Sequence, residues 1–378
     1  MNLGLALLIS GNYAEGLAEY EWRSQRSSLD KSSPHFFPHP LWDGNDLQGR
    51  TLLVFGEQGF GDLIQFIRYI PQIKARAGQN CKLIFDCQSS LNRLFSNICG
   101  LHLAPRNMPL PKFDVRISLL SLPYLLGTTL ETIPATVPYL SVAEDINLGA
   151  IQKISDRQAQ LKVGLVWTSK QTHSTAPKRS CHLTSLLPLF DLQDIHFYGL
   201  QKEVSDADRQ LISQQHLKLT DLSDYLGDFA DTAAIVNHLD LIITVDTSVA
   251  HLAGALGKPV WVLLPFAPDW RWLLDCEDSP WYPTMRLFRQ TQIDNWESAI
   301  DRVAVALSSL VARDDVNIDV MVFPQMEELC QSVAEVPNLD KLFTEARAHH
   351  LAGELKEAET LFQGYFSINR STMKLGIC

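Results

Sequence analysis

Two short segments of this sequence place groups able to do chemistry where the chain must turn from a strand into a helix. The first is GEQGFGD, Gly56 to Asp62. Its three glycines, Gly56, Gly59 and Gly61, let the backbone come close to a ligand, and Asp62 stands at the start of the following helix. A carboxylate there can take a proton from a hydroxyl, or it can simply cap the helix. The second segment is TVDTSVAHLAGALGKPVWVLLP, residues 244–265. A strand ends at Asp246, and Thr247 and Ser248 fall where the next helix begins, with hydroxyls and free backbone N–H groups available to an anion. His251 follows one turn later, on the same face as Thr247. Ala250, Ala253, Gly254 and Ala255 keep that helix thin enough to approach a sheet closely.

Other residues are placed to join these two. The loop PDWRWLLDCEDSPWYP, residues 268–283, gathers Trp270, Trp272, Trp281 and Tyr282 around Arg271. Such a group can stack a ring and hold a phosphate, although a loop packed on its own large side chains is an equal reading for Trp272 and Trp281. Gln201 ends a strand and faces the same side, and Lys178 and Arg179 form the basic end of WTSKQTHSTAPKRS. The one D-x-D, Asp206-Ala207-Asp208, sits in a polar helical stretch and reads as a solvated face.

No ligand cluster of metal type accompanies the motifs, and none of the seven cysteines (Cys81, Cys87, Cys99, Cys181, Cys276, Cys330, Cys378) forms a C-x-x-C pair. Neither a metal nor a resident cofactor is expected. The glycines run G-x-x-G-x-G and not G-x-G-x-x-G, which counts against a dinucleotide site, although Asp86 ends the second strand where a ribose-binding acid would stand.

The elements that must position these groups alternate. TLLVF (51–55) reads as a buried strand, QFIRYIPQIKARAG as the helix after it, and KLIFD (82–86) and FDVRISL (113–119) as further strands. After a polar connector at 141–160 the pattern restarts with KVGLVW (162–167), IHFYGL (195–200), LDLIITV (239–245) and PVWVLL (259–264). This alternation predicts an α/β protein with two parallel, doubly wound sheets and a cleft at the carboxyl ends of their strands.

At either end, Gly11-x-Tyr13-x-x-Gly16-x-x-x-Tyr20 and Gly353-x-Leu355-x-x-Ala358-x-x-x-Phe362 repeat one pattern: a tight turn, then a helix with a small residue where it meets its partner. These hairpins resemble the tetratricopeptide repeat, and since one repeat cannot bury its apolar face alone, each must lean on the core or on further repeats. With 378 residues, 46% hydrophobic, the chain has material for two domains plus these appendages. Its net charge of −11 disfavours nucleic acid and anionic membranes as partners. The apolar opening MNLGLALLIS lacks a basic leader and is too short to span a bilayer, so it reads as a packed helix in a cytoplasmic protein.

EQGFGDLIQFIRYIP, DTSVAHLAGALGKPVW, DWRWLL and DSPWYPTMRLFRQ together resemble a bacterial, tetratricopeptide-fused subgroup of the heptosyltransferase-like glycosyltransferases, family 9. Gly61-Asp62 matches that family's Gly-Asp pair, and Asp246, Thr247, His251 and Ala253 match its D-T-x-x-x-H-x-A run. The resemblance covers about residues 40–310. It implies a GT-B fold: a helical hairpin at 1–28, a Rossmann-like acceptor domain at 48–150, a Rossmann-like donor domain at 160–312 and a second hairpin at 338–370. It further implies Asp62 as the catalytic base, and a nucleotide-sugar donor held by Lys178, Arg179, Gln201, Asp246, Thr247, Ser248, His251, Trp270 and Arg271. The reaction would be inverting, metal-independent transfer to a hydroxyl on a glycan, lipid or protein, with the hairpins available to a protein partner. Heptosyltransferases carry glycine where Ser248 stands, so the heptose donor does not carry over. Two other readings compete: a repeat-mediated interaction module with an inactive core, and an NAD-dependent oxidoreductase.

Overall fold

Among the described residues, ten strands form where aliphatic and β-branched residues run with few interruptions. The computed structural model describes residues 2–23, 38–78, 80–106, 108–143, 148–155, 159–169, 179–274 and 276–312. The hairpin expected at 338–370 and the candidate Lys178 lie outside these described residues.

Strands β1 (Thr51–Phe55), β2 (Lys82–Cys87), β3 (Leu101–Pro105) and β4 (Val115–Ser118) build an all-parallel sheet in the order β3-β2-β1-β4. Strands β5 (Leu161–Val166), β6 (Ile195–Gly199), β7 (Leu219–Asp221), β8 (Leu241–Val245), β9 (Val260–Leu264) and β10 (Met285–Arg289) build a second parallel sheet, ordered β10-β9-β8-β5-β6-β7. Every residue of β8 and β9 is buried. Unbroken apolar strands of this kind arise when helices cover both faces of a sheet. In each sheet the first strand, β1 or β5, lies between strands that continue in opposite directions. That is the switch point at which ligands bind in open α/β sheets.

The longer helices are α1 (Asn2–Ile9), α2 (Tyr13–Tyr20), α3 (Phe60–Phe66), α4 (Ile70–Ala77), α5 (Leu148–Ser155), α6 (Asp206–Gln214), α7 (Phe229–Asn237), α8 (Ser248–Ala255) and α9 (Glu297–Val311). None of the described helices is long and apolar enough to cross a membrane. α5 lies inside the stretch expected to be a polar connector. Three strands, β3, β7 and β10, were not expected.

The amino-terminal hairpin turns at Gly11, and α2 is capped where the Asn12 side chain accepts the Glu15 N–H. Gly16 is the contact residue: a Cβ there would lie 2.8 Å from Leu8 Cγ and 2.9 Å from its backbone nitrogen. This part of the hairpin expectation therefore matches the structure, but the hairpin is no appendage. Leu8, Tyr13, Leu17 and Tyr20 share one apolar core with α3, α4, α8 and the loop at 270–282, so the hairpin packs in a core that joins elements of both sheets.

Candidate functional site

α3 and α8 start at the switch points of their sheets and pack directly on each other. Gly61 makes this possible: a Cβ at its position would lie 2.8 Å from His251 Cδ2 and 3.6 Å from Ser248 Cα. The imidazole cannot retreat easily, because its Nδ1 lies 3.0 Å from the Tyr282 hydroxyl and its ring stacks on Trp272 at 5.5 Å. Burial, with Arg271, Arg68 and Arg179 nearby, holds the His251 pKa well below the usual histidine value, so it is neutral at pH 7. Gly61→Ala is accordingly expected to destabilise the protein by about 1–2 kcal/mol, overpacking outweighing the gain in helix propensity. Gly59→Ala is the control: its Cβ would meet nothing nearer than Asp62 Oδ2 at 3.6 Å, and its cost in the same urea titration should stay below about 1 kcal/mol.

Asp62 sits one residue beyond this contact and uses both oxygens. Oδ2 accepts the Gly59 N–H at 3.0 Å, as a cap would, while Oδ1 pairs across the domain boundary with Arg271. Burial pushes the Asp62 carboxyl up from its usual range and the Arg271 guanidinium pulls it back, with a net rise. Arg271 is itself only 6% exposed. Its Nε donates to Gln65 Oε1 at 2.5 Å and its Nη1 to Asp269 Oδ1 at 2.8 Å. The candidate base and the candidate phosphate ligand are thus brought together, with every arm of the arginine engaged by protein.

On the second domain, Thr247 caps α8: its hydroxyl accepts the Val249 N–H at 3.3 Å and lies 3.0 Å from Thr244 Oγ1. Ser248 follows, half-buried, at the helix start. Asp246 is buried, and Arg179 Nη1 stands 3.5 Å from its Oδ2. Burial and the nearby Asp269 push this carboxyl up, against Arg179 and Arg271. Gln201 is placed at the end of β6 with its Oε1 accepting the Thr168 N–H at 3.1 Å, which ties the loop after β5 to the sheet. Asp246, Thr247, Ser248, Arg179 and Gln201 therefore lie on the segments that follow β5, β6 and β8, beside the switch point of the second sheet.

Trp270 is placed differently from expectation. It is 3% exposed and its rings are covered by Tyr13, Tyr20, Phe66 and Trp281 at 5.7–6.5 Å, so no face is left for a base or sugar. Loop 268–283 is packed on its own side chains and on the hairpin, the plainer of the two readings. Asp208 also departs from a purely solvated face, accepting from Trp167 Nε1 at 3.2 Å.

Two arginines outside the expected set pack beside these groups. Arg68, buried on the first domain, donates to the Trp281 carbonyl at 2.6 Å and to the Tyr139 hydroxyl at 2.9 Å, and lies 4.4 Å from the Tyr282 ring. Arg106 pairs with Asp86 at 3.1 Å and also donates to the Gly56 carbonyl. Asp86 is thus committed to protein where a ribose-binding acid would have to be free. Among the described residues, no group of three or more His, Cys, Asp or Glu side chains is placed to hold a metal ion.

No family model matches the sequence. It is 27% identical over 335 residues to Protein FlbA of Caulobacter vibrioides (strain ATCC 19089 / CIP 103742 / CB 15), a match covering 81% of this chain and 54% of that protein. The chain thus spans about half the length of the curated relative it matches. Similar solved structures include the ADP-heptose lps heptosyltransferase II of E. coli, at TM-score 0.45 and 15% identity over 68% of this chain and 98% of that one. A glycosyl transferase family 9 protein from Veillonella parvula DSM 2008 matches at TM-score 0.46 and 11% identity, over 71% and 91% of the two chains. The dodecameric, iron-containing glycosyltransferase TibC from enterotoxigenic E. coli H10407 matches at 0.44 and 14%, over 69% and 66%.

Proposed function

We propose that this protein is a cytoplasmic glycosyltransferase of the GT-B type, moving a sugar from a nucleotide-sugar to a hydroxyl acceptor with inversion. The observation that carries this reading is the meeting of the Gly61-Asp62 turn, from one switch point, with the start of α8, from the other: Gly61 lies against His251 and Ser248, and Asp62 pairs with Arg271. In-line displacement at an anomeric carbon needs a base on one side of the sugar and charge stabilisation on the other. Asp62 serves as the base. Burial makes it more basic than a free carboxylate, and the Arg271 guanidinium opposes part of that rise. The departing diphosphate meets the N–H groups and hydroxyls at Thr247 and Ser248, with Arg179 and Lys178 as counter-charges. These donors supply the stabilisation without calling for a metal. Both hairpins are read as tetratricopeptide-like, and the acceptor is a glycan, a lipid or a protein.

The test is a thermal-shift panel of UDP-, GDP- and ADP-sugars beside NAD, each with and without EDTA. A ligand that binds only the folded state stabilises it by about 2.7 kcal/mol at a hundredfold excess over its Kd. One nucleotide-sugar is expected to raise the Tm by several degrees, equally with chelator present, and NAD to leave it unchanged. Stabilisation by NAD alone overturns the reading in favour of an oxidoreductase.

A further inference from the structure

The amino-terminal hairpin was expected to serve partner recognition, yet two of its polar side chains, Tyr20 and Arg23, point inward at the glycine loop. Arg23, just past α2, donates from Nε to Glu57 Oε1 at 3.0 Å, and its Nη2 lies 2.9 Å from the same oxygen. Glu57 also accepts from Ser118, the last residue of β4. Glu57 follows β1 by two positions, so this pair spans the switch point of the first sheet and the arginine sits over it. Arg23 is itself fixed: Nη1 donates to Glu21 Oε1 at 2.5 Å and to the Tyr20 carbonyl at 3.2 Å, and Nη2 donates to Ser121 Oγ at 2.8 Å. The next loop residue, Gln58, donates its side-chain N–H to the Tyr20 hydroxyl at 2.9 Å. Two turns before Tyr20, Tyr13 accepts from Trp281 Nε1, in the loop after β9, at 3.1 Å.

We propose that this hairpin is a built-in positioning element for the candidate base: Arg23 and Tyr20 hold Glu57 and Gln58, and through them fix the loop that carries Gly59, Gly61 and Asp62. Glu57 and Gln58 are the only residues between Gly56 and Gly59. Glycines do not define a backbone path by themselves, so a loop of this composition needs side-chain anchors to hold Asp62 within the few tenths of an ångström that proton transfer demands. A buried, bidentate arginine is well suited to this, because its planar fork is pre-organised. Tyr13 extends the same hairpin to the second domain, so the base loop and the loop carrying Arg271 are referred to one rigid body. Arg23 and Tyr20 touch no reacting atom; they act through the loop.

The proposal rests on the reading of Asp62 as the base, so its test has an arm that needs no substrate. Hydrogen exchange is followed in the full chain carrying Arg23→Met, Arg23→Lys or Tyr20→Phe. In Arg23→Met, amides of residues 56–62 are expected to exchange about tenfold faster while those of β8 and α8 keep the wild-type rate. Tyr20→Phe removes one hydroxyl and is the mild variant, expected to give a smaller rise in the same peptide. Unchanged exchange at 56–62 in both variants, or a uniform rise across the chain, overturns the proposal. With an active donor in hand, Arg23→Met should lower kcat about tenfold with the donor KM unchanged, and Arg23→Lys should recover part of the loss. A raised donor KM at constant kcat also overturns it. If the wild-type protein transfers no sugar, the transferase reading fails, and the exchange arm alone decides whether the hairpin holds the loop.

Discussion

Asp62→Asn is expected to lower sugar transfer by roughly a hundredfold or more, the usual size of a general-base contribution. The amide cannot take the acceptor's proton. Capping chemistry alone would make this a mild substitution, since Gly59 is the N-cap of α3, Asp62 is its third residue, and an amide oxygen can accept the Gly59 N–H in place of a carboxylate oxygen. The structure says otherwise, because both carboxylate oxygens accept: one from the Gly59 N–H, the other from Arg271. An amide has a single oxygen, so one of these donors will face an NH2 group. A stability loss of about 1–3 kcal/mol is therefore expected beside the loss of turnover, from an unsatisfied buried donor at the domain boundary. Turnover and urea midpoint measured on the same preparation separate the two effects, with Asp62→Ala as the reference for complete removal. Donor affinity should change little. Near wild-type turnover in the asparagine variant would leave Asp62 as a cap and counter-ion, and the proposed chemistry without a base.

The strands that carry the site were legible because they are buried on both faces. TLLVF, LDLIITV and PVWVLL read as continuous apolar runs, and the structure places strands in all three. The missed strands lie at or near the sheet edges, where the signal fades. β3 is LHLAP with alternating exposure, β7 has three residues, and β10, MRLFR, interrupts its apolar pattern with Arg286 and Arg289, charges of the kind edge strands commonly carry. α5 is two amphipathic turns, LGAIQKIS, too short for periodicity to stand out from a polar connector.

The site was legible as two motifs and illegible as an assembly. Local spacing is enough to place Asp62 and Thr247 at helix starts. Nothing local says that Asp62 will meet a side chain 209 positions away, or that Gly61 is small because His251 needs its space. For the same reason Trp270 and Arg271 looked like ligand groups. An aromatic-rich loop with one arginine suits a nucleotide as well as it suits a domain boundary, and only the packing of Tyr13, Tyr20 and Phe66 around Trp270 separates the two. The hairpin was found by its Gly11 and Gly16 pattern, but its inward polar face, Tyr20 and Arg23, carries no periodic signal.

Arg68 was invisible in the same way, and it is where the largest loss of stability is expected. It is a buried cation with no carboxylate among its hydrogen-bond partners. Its guanidinium instead satisfies the carbonyls of Gln65, Pro134 and Trp281 and the Tyr139 hydroxyl, and it is sandwiched by the rings of Tyr139 and Tyr282, each 4.4 Å away. Trp281 and Tyr282 follow β9 while the other partners precede β5, so this side chain ties elements of the two sheets together, beside the Asp62–Arg271 pair. Arg68→Met keeps much of the apolar stem but strands its acceptors, of which the Gln65 and Trp281 carbonyls are buried. Each costs about 1–3 kcal/mol when left unpaired in the interior, and the lost cation–π contact adds about 1 kcal/mol. After partial relaxation a net loss of about 3 kcal/mol or more is expected, read from the urea midpoint at constant m. Arg68→Lys should recover little, since one ammonium cannot reach donors' targets spread in three directions. Because the contact couples domains, the variant is also expected to unfold in two steps, with tryptophan fluorescence and far-UV circular dichroism no longer coincident. A midpoint within about 0.5 kcal/mol of wild type would show that the domains are held together by the Tyr13, Trp270 and Trp281 ring cluster, with Arg68 filling space between them.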